Sequence, residues 1–379
     1  MKTLFKNAKI VSPEYEFIGY FVVDNGKIVK VREGHTLEQG IDLKGKIVIP
    51  GFIDIHVHGG FGIDFTEEAS KGKLVEAIEN YRRKIVKLGV TSFSPTTVTS
   101  PHEVLLQASK EISEVNMESD EGARVLGLHL EGPYISPQAA GAQDVTYIRP
   151  ANIKELEEYW KSSNGRIASI TVAPEIENAL DFIEYATLLG IHVSIGHTNA
   201  TYKQAIDAIR AGADRATHLF DAMTKIHHRD PGAVIAILQS DIMVELIMDT
   251  IHVVPDMIKY VISTIGVKRV IAVTDAMAAA GLGDGEYVLG SKKVKVTCNT
   301  ARTEDGRLAG SVATMDRYFY TLLMMGYSLS DVSRMLSLNP ARALNLKLGC
   351  IKPGCNADFI VLNSDMKIEE VHINGKKIV

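Results

Sequence analysis

Cysteine is scarce in this chain. There are three in 379 residues (Cys298, Cys350 and Cys355), and none falls in a Cys-x-x-Cys pair. An odd number without paired spacing argues against a disulfide framework and fits a reducing compartment. Long apolar runs are also missing: nothing approaches the roughly 18 uninterrupted residues of a membrane span. The N-terminus, Met1 to Ile10, lacks the continuous apolar segment of a signal peptide. Charge of one sign is not in excess, with a net value of −5 and both signs scattered. That excludes the concentrated basic face of a nucleic-acid binder. What remains is an ordinary globular composition, 46% hydrophobic and 23% charged. It reads as a soluble cytoplasmic protein with neither nucleic acid nor membrane as partner.

The ends of the chain carry short strands and turns. Asn25-Gly26 between two apolar runs signals a hairpin. Near the C-terminus, Asp358–Leu362 and Val371–Val379 read as further strands. Neither end has enough core to fold alone, so the expectation is one small β-sandwich domain built from residues 1–50 plus 346–379. Between them, over 51–345, strands and helices alternate. Eight candidate strands end near His58, Thr96, Glu131, Ala173, His197, His218, Met248 and Asp275. Helical candidates include Ser70–Lys87, His102–Val115, Glu177–Leu189, Tyr202–Ala211 and Val254–Ile265. Eight such units predict a (β/α)8 TIM-like barrel. A doubly wound sheet is the other architecture this alternation allows.

The strand ends carry the chemistry. In Pro50-Gly-Phe-Ile-Asp-Ile-His-Val-His-Gly59 two histidines stand one residue apart. Alternation along a strand aims both imidazoles the same way, as a transition metal requires. A pair of histidines on a polar strand face is the plain alternative. Further along, Glu131, His197, His218 and Asp275 end four other strands. Singly each is weak: a buried histidine is usually hydrogen-bonded core, Glu131 before Gly-Pro suits a turn, and Asp275 suits a helix cap. Together, five of eight strands present a ligand or proton carrier on the rim where barrel active sites gather. Imidazole and carboxylate without thiolate suit zinc, iron, cobalt or manganese. An ion there makes water a nucleophile near neutral pH, with Asp275 as general base and then general acid.

These motifs resemble the amidohydrolase superfamily, and within it the branch that deacetylates amino-sugar phosphates. The likeness runs through Ser94–Ser100, His129-Leu-Glu-Gly-Pro133, Gly196-His-Thr198, Thr217-His-Leu-Phe220, Val273-Thr-Asp-Ala-Met277, Leu308-Ala-Gly-Ser311 and Asn339–Ala343. The resemblance implies that Glu131, His197 and His218 hold one divalent ion. His56 and His58 would hold a second, with Glu131 able to bridge, and Asp275 would be the acid/base. Strand 4 ends without the lysine that bridges metals in other branches. The likeness further implies N-acetylglucosamine 6-phosphate as substrate, with N-acetylgalactosamine 6-phosphate or another N-acyl amine as the alternative. Ala142, Gln143, Asp221, Ala222, Arg229 and His252 would contact it. Arg229 would bind phosphate and, in a homodimer, reach the neighbouring site; its plain alternative is a surface ion pair with Asp230. Three positions depart from the pattern. Gln143 replaces a histidine, Asp221 replaces an asparagine, and Thr250 replaces a glycine. A scaffold that has kept the fold without activity is the remaining alternative, and it would be expected to lose ligand residues.

Overall fold

The computed structural model describes residues 2–119 and 121–379. Eight parallel strands form the centre: β1 (Phe52–Val57), β2 (Val90–Thr97), β3 (Leu128–Glu131), β4 (Ile167–Val172), β5 (His192–Ile195), β6 (Arg215–Ala216), β7 (Met243–Ile247) and β8 (Val270–Val273). Each pairs with the next in that order. The seam between β8 and β1 closes through a parallel bridge of Val57 with Ala276. There the His56 carbonyl accepts from Asp275 N–H at 2.9 Å, and the Ala276 carbonyl from His58 N–H at 2.8 Å. Below the seam the buried Asp54 carboxylate accepts from the backbone and hydroxyl of Thr274. The architecture is the expected TIM-like barrel, not a doubly wound sheet.

Every residue of β1 is buried, because one face meets helices and the other the barrel axis. Ile53, Ile55 and Val57 join the apolar core shared with the helices. The alternate positions supply polar groups to the axis. His129 contacts Thr171 Oγ1 at 2.9 Å, Thr171 contacts Thr217, and Thr217 donates to Ser194. Arg215 and Glu245 are fully buried there as well.

Residues of both termini share one sheet. Ile47–Pro50 lies antiparallel to Phe359–Leu362 and parallel to Lys2–Ser12. The expected hairpin forms from Tyr15–Asp24 and Lys27–Glu33 about Asn25-Gly26. Apart from Ile41–Asp42, which pairs beside it with Lys2–Ser12, the hydrogen bonding follows one path, curled tightly enough to bring the Phe5, Phe21 and Phe359 ring centroids within 5.1 Å of one another. One face (Ile49, Ile360, Leu362, Val371) joins the barrel core, and the other (Phe5, Phe21, Val48, Phe359) forms its own.

Three features differ from expectation. The helix expected over Ser70–Lys87 starts later, at Leu74 (Leu74–Ile85), because a separate short helix, Phe65–Ser70, ends just before it and Gly72 takes φ +68°. A three-stranded antiparallel sheet, Gly285–Leu289, Lys292–Thr297 and Thr300–Thr303, follows β8 and was not foreseen. Its Leu289, Val294 and Val296 pack with Val98 and Met277 at the barrel mouth. Finally, Cys350 and Cys355 form a disulfide, contrary to the reading of unpaired cysteines. The intervening Pro353-Gly354 turn brings their Cα atoms to 6.2 Å, the usual span of such a bond. Cys298 is free and exposed.

Candidate active site and metal centre

The residues singled out at the strand ends converge at the C-terminal mouth of the barrel. His197, His218 and Asp275 each follow their strand with positive φ (+47°, +25° and +48°). This sparsely populated backbone region turns the side chains inward, and strain of this kind concentrates at functional sites. The Leu308-Ala-Gly-Ser311 segment returns beside Asp275, with Ser311 N–H donating to the Asp275 carbonyl at 2.8 Å. Gly310 has φ +62°, and a Cβ there would stand 2.8 Å from that carbonyl, so the close approach requires glycine.

Glu131 is the hub. Its Oε1 lies 2.8 Å from His218 Nε2, 3.1 Å from His197 Nε2 and 3.4 Å from His56 Nε2. Its Oε2 lies 3.2 Å from His58 Nε2 and accepts from Gln143 Nε2 at 2.6 Å. Asp275 Oδ1 stands 3.0 Å from His58 Nε2 and 3.4 Å from His56 Nε2. The outer nitrogens are engaged elsewhere. Nδ1 of His58 meets the Thr96 carbonyl at 3.2 Å, Nδ1 of His197 the Ala139 carbonyl at 2.9 Å, and Nδ1 of His56 meets Glu245 Oε2 at 3.1 Å. Carbonyls and carboxylates only accept, so each Nδ1 carries a hydrogen and Nε2 is the ring nitrogen left facing inward, able to ligate a cation once it gives up its proton. His218 Nδ1 is buried without a partner among the described residues.

The donors form two overlapping groups, Glu131 with His197 and His218, and His56, His58, Glu131 and Asp275, each within 4.8 Å and buried. Lone pairs and carboxylate oxygens aimed at common points, without thiolate, fit one or two divalent cations. Without an ion between them these groups perturb one another. Burial alone would push the His58 and His218 imidazoles down. The neighbouring carboxylates, Asp275 and Glu131 for His58 and chiefly Glu131 for His218, reverse this and hold each up to about 9. Burial would raise the Asp275 carboxyl, but the hydrogen bond from His58 and the charge of His56 keep it below its usual range.

A cavity of about 260 Å³ opens over the cluster. His58, Glu131, His197, His218 and Asp275 line it, with Ala142, Gln143, Asp221, Ala222 and His252 from the substrate set. His56 lies a layer deeper. Arg229 does not line this cavity; it sits on the exposed 225–230 loop, contacting His228 Nε2 at 2.8 Å. Gln143 has its carbonyl committed to Thr99 N–H at 2.6 Å and one amide hydrogen to Glu131, leaving one donor for the cavity. His252 is braced by Asp249 Oδ2 at 2.7 Å. Burial would lower its pKa, but Asp249 overcomes this and raises it. Asp221 has a buried Oδ2 with no hydrogen-bond partner among the described residues. Burial raises its carboxyl, against the pull of His252 and His218.

Sequence reasoning missed Arg307, which lines the cavity and donates to the Gly141 carbonyl at 3.0 Å. Its signal was its place directly before Leu308-Ala-Gly-Ser311. Glu245 was missed too, although a glutamate inside the apolar run Met243–Ile247 marks a buried partner.

Comparison with known proteins extends this geometry. The amidohydrolase family model matches residues 47–378. An N-acetylglucosamine-6-phosphate deacetylase of Lysinibacillus sphaericus is 34% identical over 358 residues, covering 93% of this chain and 91% of the relative. An N-acetylgalactosamine-6-phosphate deacetylase of Escherichia coli O157:H7 is 35% identical, covering 87% of each. Among solved structures, a Mycobacterium smegmatis N-acetyl-D-glucosamine-6-phosphate deacetylase variant in complex with N-acetyl-D-glucosamine-6-phosphate superposes with a TM-score of 0.90. It is 31% identical, and the match covers 100% of this chain and 99% of that one.

Proposed function

The chain belongs to the amidohydrolase family, and from that premise we propose that it hydrolyses the acetamido group of N-acetylglucosamine 6-phosphate to glucosamine 6-phosphate and acetate. The observation that carries this reading is the convergence of His58, His197 and His218 Nε2 on Glu131, with Asp275 opening onto the same cavity.

Glu131, His197 and His218 would hold the first divalent ion, and His56 and His58 a second, zinc or iron suiting the donors best. Such an ion supplies Lewis acidity, lowering the pKa of a water molecule and polarising the acetamido carbonyl. Asp275 does the proton work. As a carboxylate it accepts a proton from the attacking water as the new C–O bond forms. It then delivers that proton to the amine nitrogen as the C–N bond breaks. Gln143 directs its free amide hydrogen into the cavity, and His252, fixed through Nδ1 by Asp249, offers its other ring nitrogen to the substrate.

Arg229 lies outside its own cavity on an exposed loop with Ile226, while exposed Ile251 and Val254 follow the adjacent strand β7. This supports a homodimer in which Arg229 reaches the neighbouring phosphate. Residence in the cytoplasm is supported by the phosphorylated substrate, which does not cross membranes unaided. The cysteine argument no longer carries it. No described helix is long and apolar enough to cross a membrane.

Acetate release from the gluco and galacto phosphates tests the substrate, the gluco epimer being expected to give the larger kcat/KM. Asp275→Asn keeps the shape and removes the base; kcat should fall by roughly 10²–10⁴-fold with the fold unchanged by circular dichroism. Turnover at the wild-type rate would remove Asp275 from the mechanism.

A further inference from the structure

Beneath the metal ligands lies a charged pair that the proposed reaction does not use. Glu245, on β7, and Arg215, on β6, point into the barrel axis and are fully buried. Arg215 Nε stands 3.0 Å from Glu245 Oε1. Neither the three guanidinium nitrogens nor Oε1 has a hydrogen-bond partner among the described residues, so the two side chains are held by charge, and Glu245 is the group that balances Arg215. The second carboxylate oxygen, Oε2, meets His56 Nδ1 at 3.1 Å.

We propose that Glu245, braced by Arg215, is a positioning residue for the second ion: it fixes His56 with Nε2 facing inward and so controls occupancy of the His56–His58 side. The proposal rests on the metal-hydrolase reading given above. Buried charges are kept in pairs, and Arg215 is the partner of this carboxylate. A carboxylate oxygen facing Nδ1 accepts from it, so the hydrogen is held on Nδ1 and Nε2 is left to ligate, 3.3 Å from His58 Nε2 and 3.4 Å from Asp275 Oδ1. His129 packs edge-on against His56 at 4.7 Å, but it is tied to Thr96 and Thr171 and makes no bond to His56. The arrangement is one-sided. His58 and His197 lean on backbone carbonyls, and among the described residues His218 Nδ1 has no hydrogen-bond partner and the Glu245 and Arg215 side chains make no hydrogen bond or ion pair to the Glu131–His197–His218 group. A carboxylate behind a metal-binding imidazole raises its basicity and fixes its orientation, and losing it typically costs about 10–100-fold in metal affinity.

The test is cobalt titration of stripped protein, followed by bound ions per chain and by visible absorption. Two variants are compared with wild type. Glu245→Gln is isosteric, and Glu245→Gln combined with Arg215→Met removes the charge left unbalanced by the first. The expected result is two ions in wild type. Both variants should bind the first with unchanged affinity and the second about 10–100-fold more weakly. Wild-type affinity for the second ion in folded variants would overturn the proposal, as would equal weakening of both sites or a wild type that saturates at one ion. A wild type that binds no cobalt at all would instead overturn the hydrolase reading. If neither variant folds, anomalous diffraction from cobalt-soaked wild-type crystals decides. An ion on His56 Nε2 with Glu245 still on Nδ1 supports the assignment; an ion on Nδ1 or on Glu245 itself contradicts it.

Discussion

Asp221 is the residue whose chemistry sits least easily with an anionic substrate. It lines the cavity beside Ala222 and His252 with a carboxylate oxygen that has no hydrogen-bond partner among the described residues. With phosphate seated against this segment, two like charges share a poorly hydrated space, which disfavours both. Asp221→Asn should therefore lower KM for the phosphorylated sugar by roughly five- to tenfold, equivalent to about 1–1.4 kcal/mol, and leave the unphosphorylated sugar unchanged. Initial-rate kinetics on both sugars checks this, and an unchanged KM for the phosphate would place it elsewhere. At this scale much of the site was legible. His56, His58, Glu131, His197, His218 and Asp275 end strands, where a short motif announces both the element and the side chain it brings to the common cluster. Glu245 and Arg307 carried only a positional signal, a glutamate inside an apolar run and an arginine beside Leu308–Ser311; their roles stayed hidden because each acts through a contact distant in sequence, Glu245 on His56 and Arg307 on Gly141.

The loop after β7 shows how a single element absorbs a departure in sequence. Asp249 folds it by accepting from the backbone N–H groups of Ile251 and His252 at 2.8 Å each, and it braces the His252 ring. That turn places Thr250 at φ +66°, which a β-branched residue adopts at a cost of about 1–2 kcal/mol. Thr250→Gly relieves the strain but loosens the unfolded chain by about 0.4–1 kcal/mol. The net expectation is a stabilisation on the order of 0.5–1 kcal/mol in denaturant titration, and destabilisation would contradict it. Other elements were unequally readable. Tyr202–Ala211 was read to the residue because Thr201 and Gln204 form a reciprocal cap. Gly232–Gln239 was overlooked because six of its eight residues are buried, leaving no polar stripe to reveal its period. The three-stranded insertion did carry a signal: in Lys292–Thr297 valines alternate with lysines, buried against exposed.

For the whole molecule, the metal site links catalysis to stability. In metal-stripped protein His58 and His218 hold protons up to about 9, against about 6.5 in an unfolded chain. A pKa raised by folding adds stability that is fully present below about pH 6.5 and lost as pH rises through about 9. The stripped protein should therefore lose several degrees of Tm between pH 7 and 9.5, while the loaded protein, whose imidazoles bind metal instead of protons, changes much less. Differential scanning calorimetry on both forms checks this, and parallel curves would contradict it. The barrel itself was legible from eight alternating units. The cysteine pair was not, because only the turn at Pro353-Gly354 brings Cys350 and Cys355 together.

The most direct test of the account is to strip the protein with a chelator and follow acetate release from N-acetylglucosamine 6-phosphate while zinc is added back. The account predicts negligible turnover in the stripped protein and recovery that tracks the first one to two ions bound per chain. Full turnover with less than about a tenth of an ion per chain would contradict it, since ligands converging as these do would then serve no ion in catalysis.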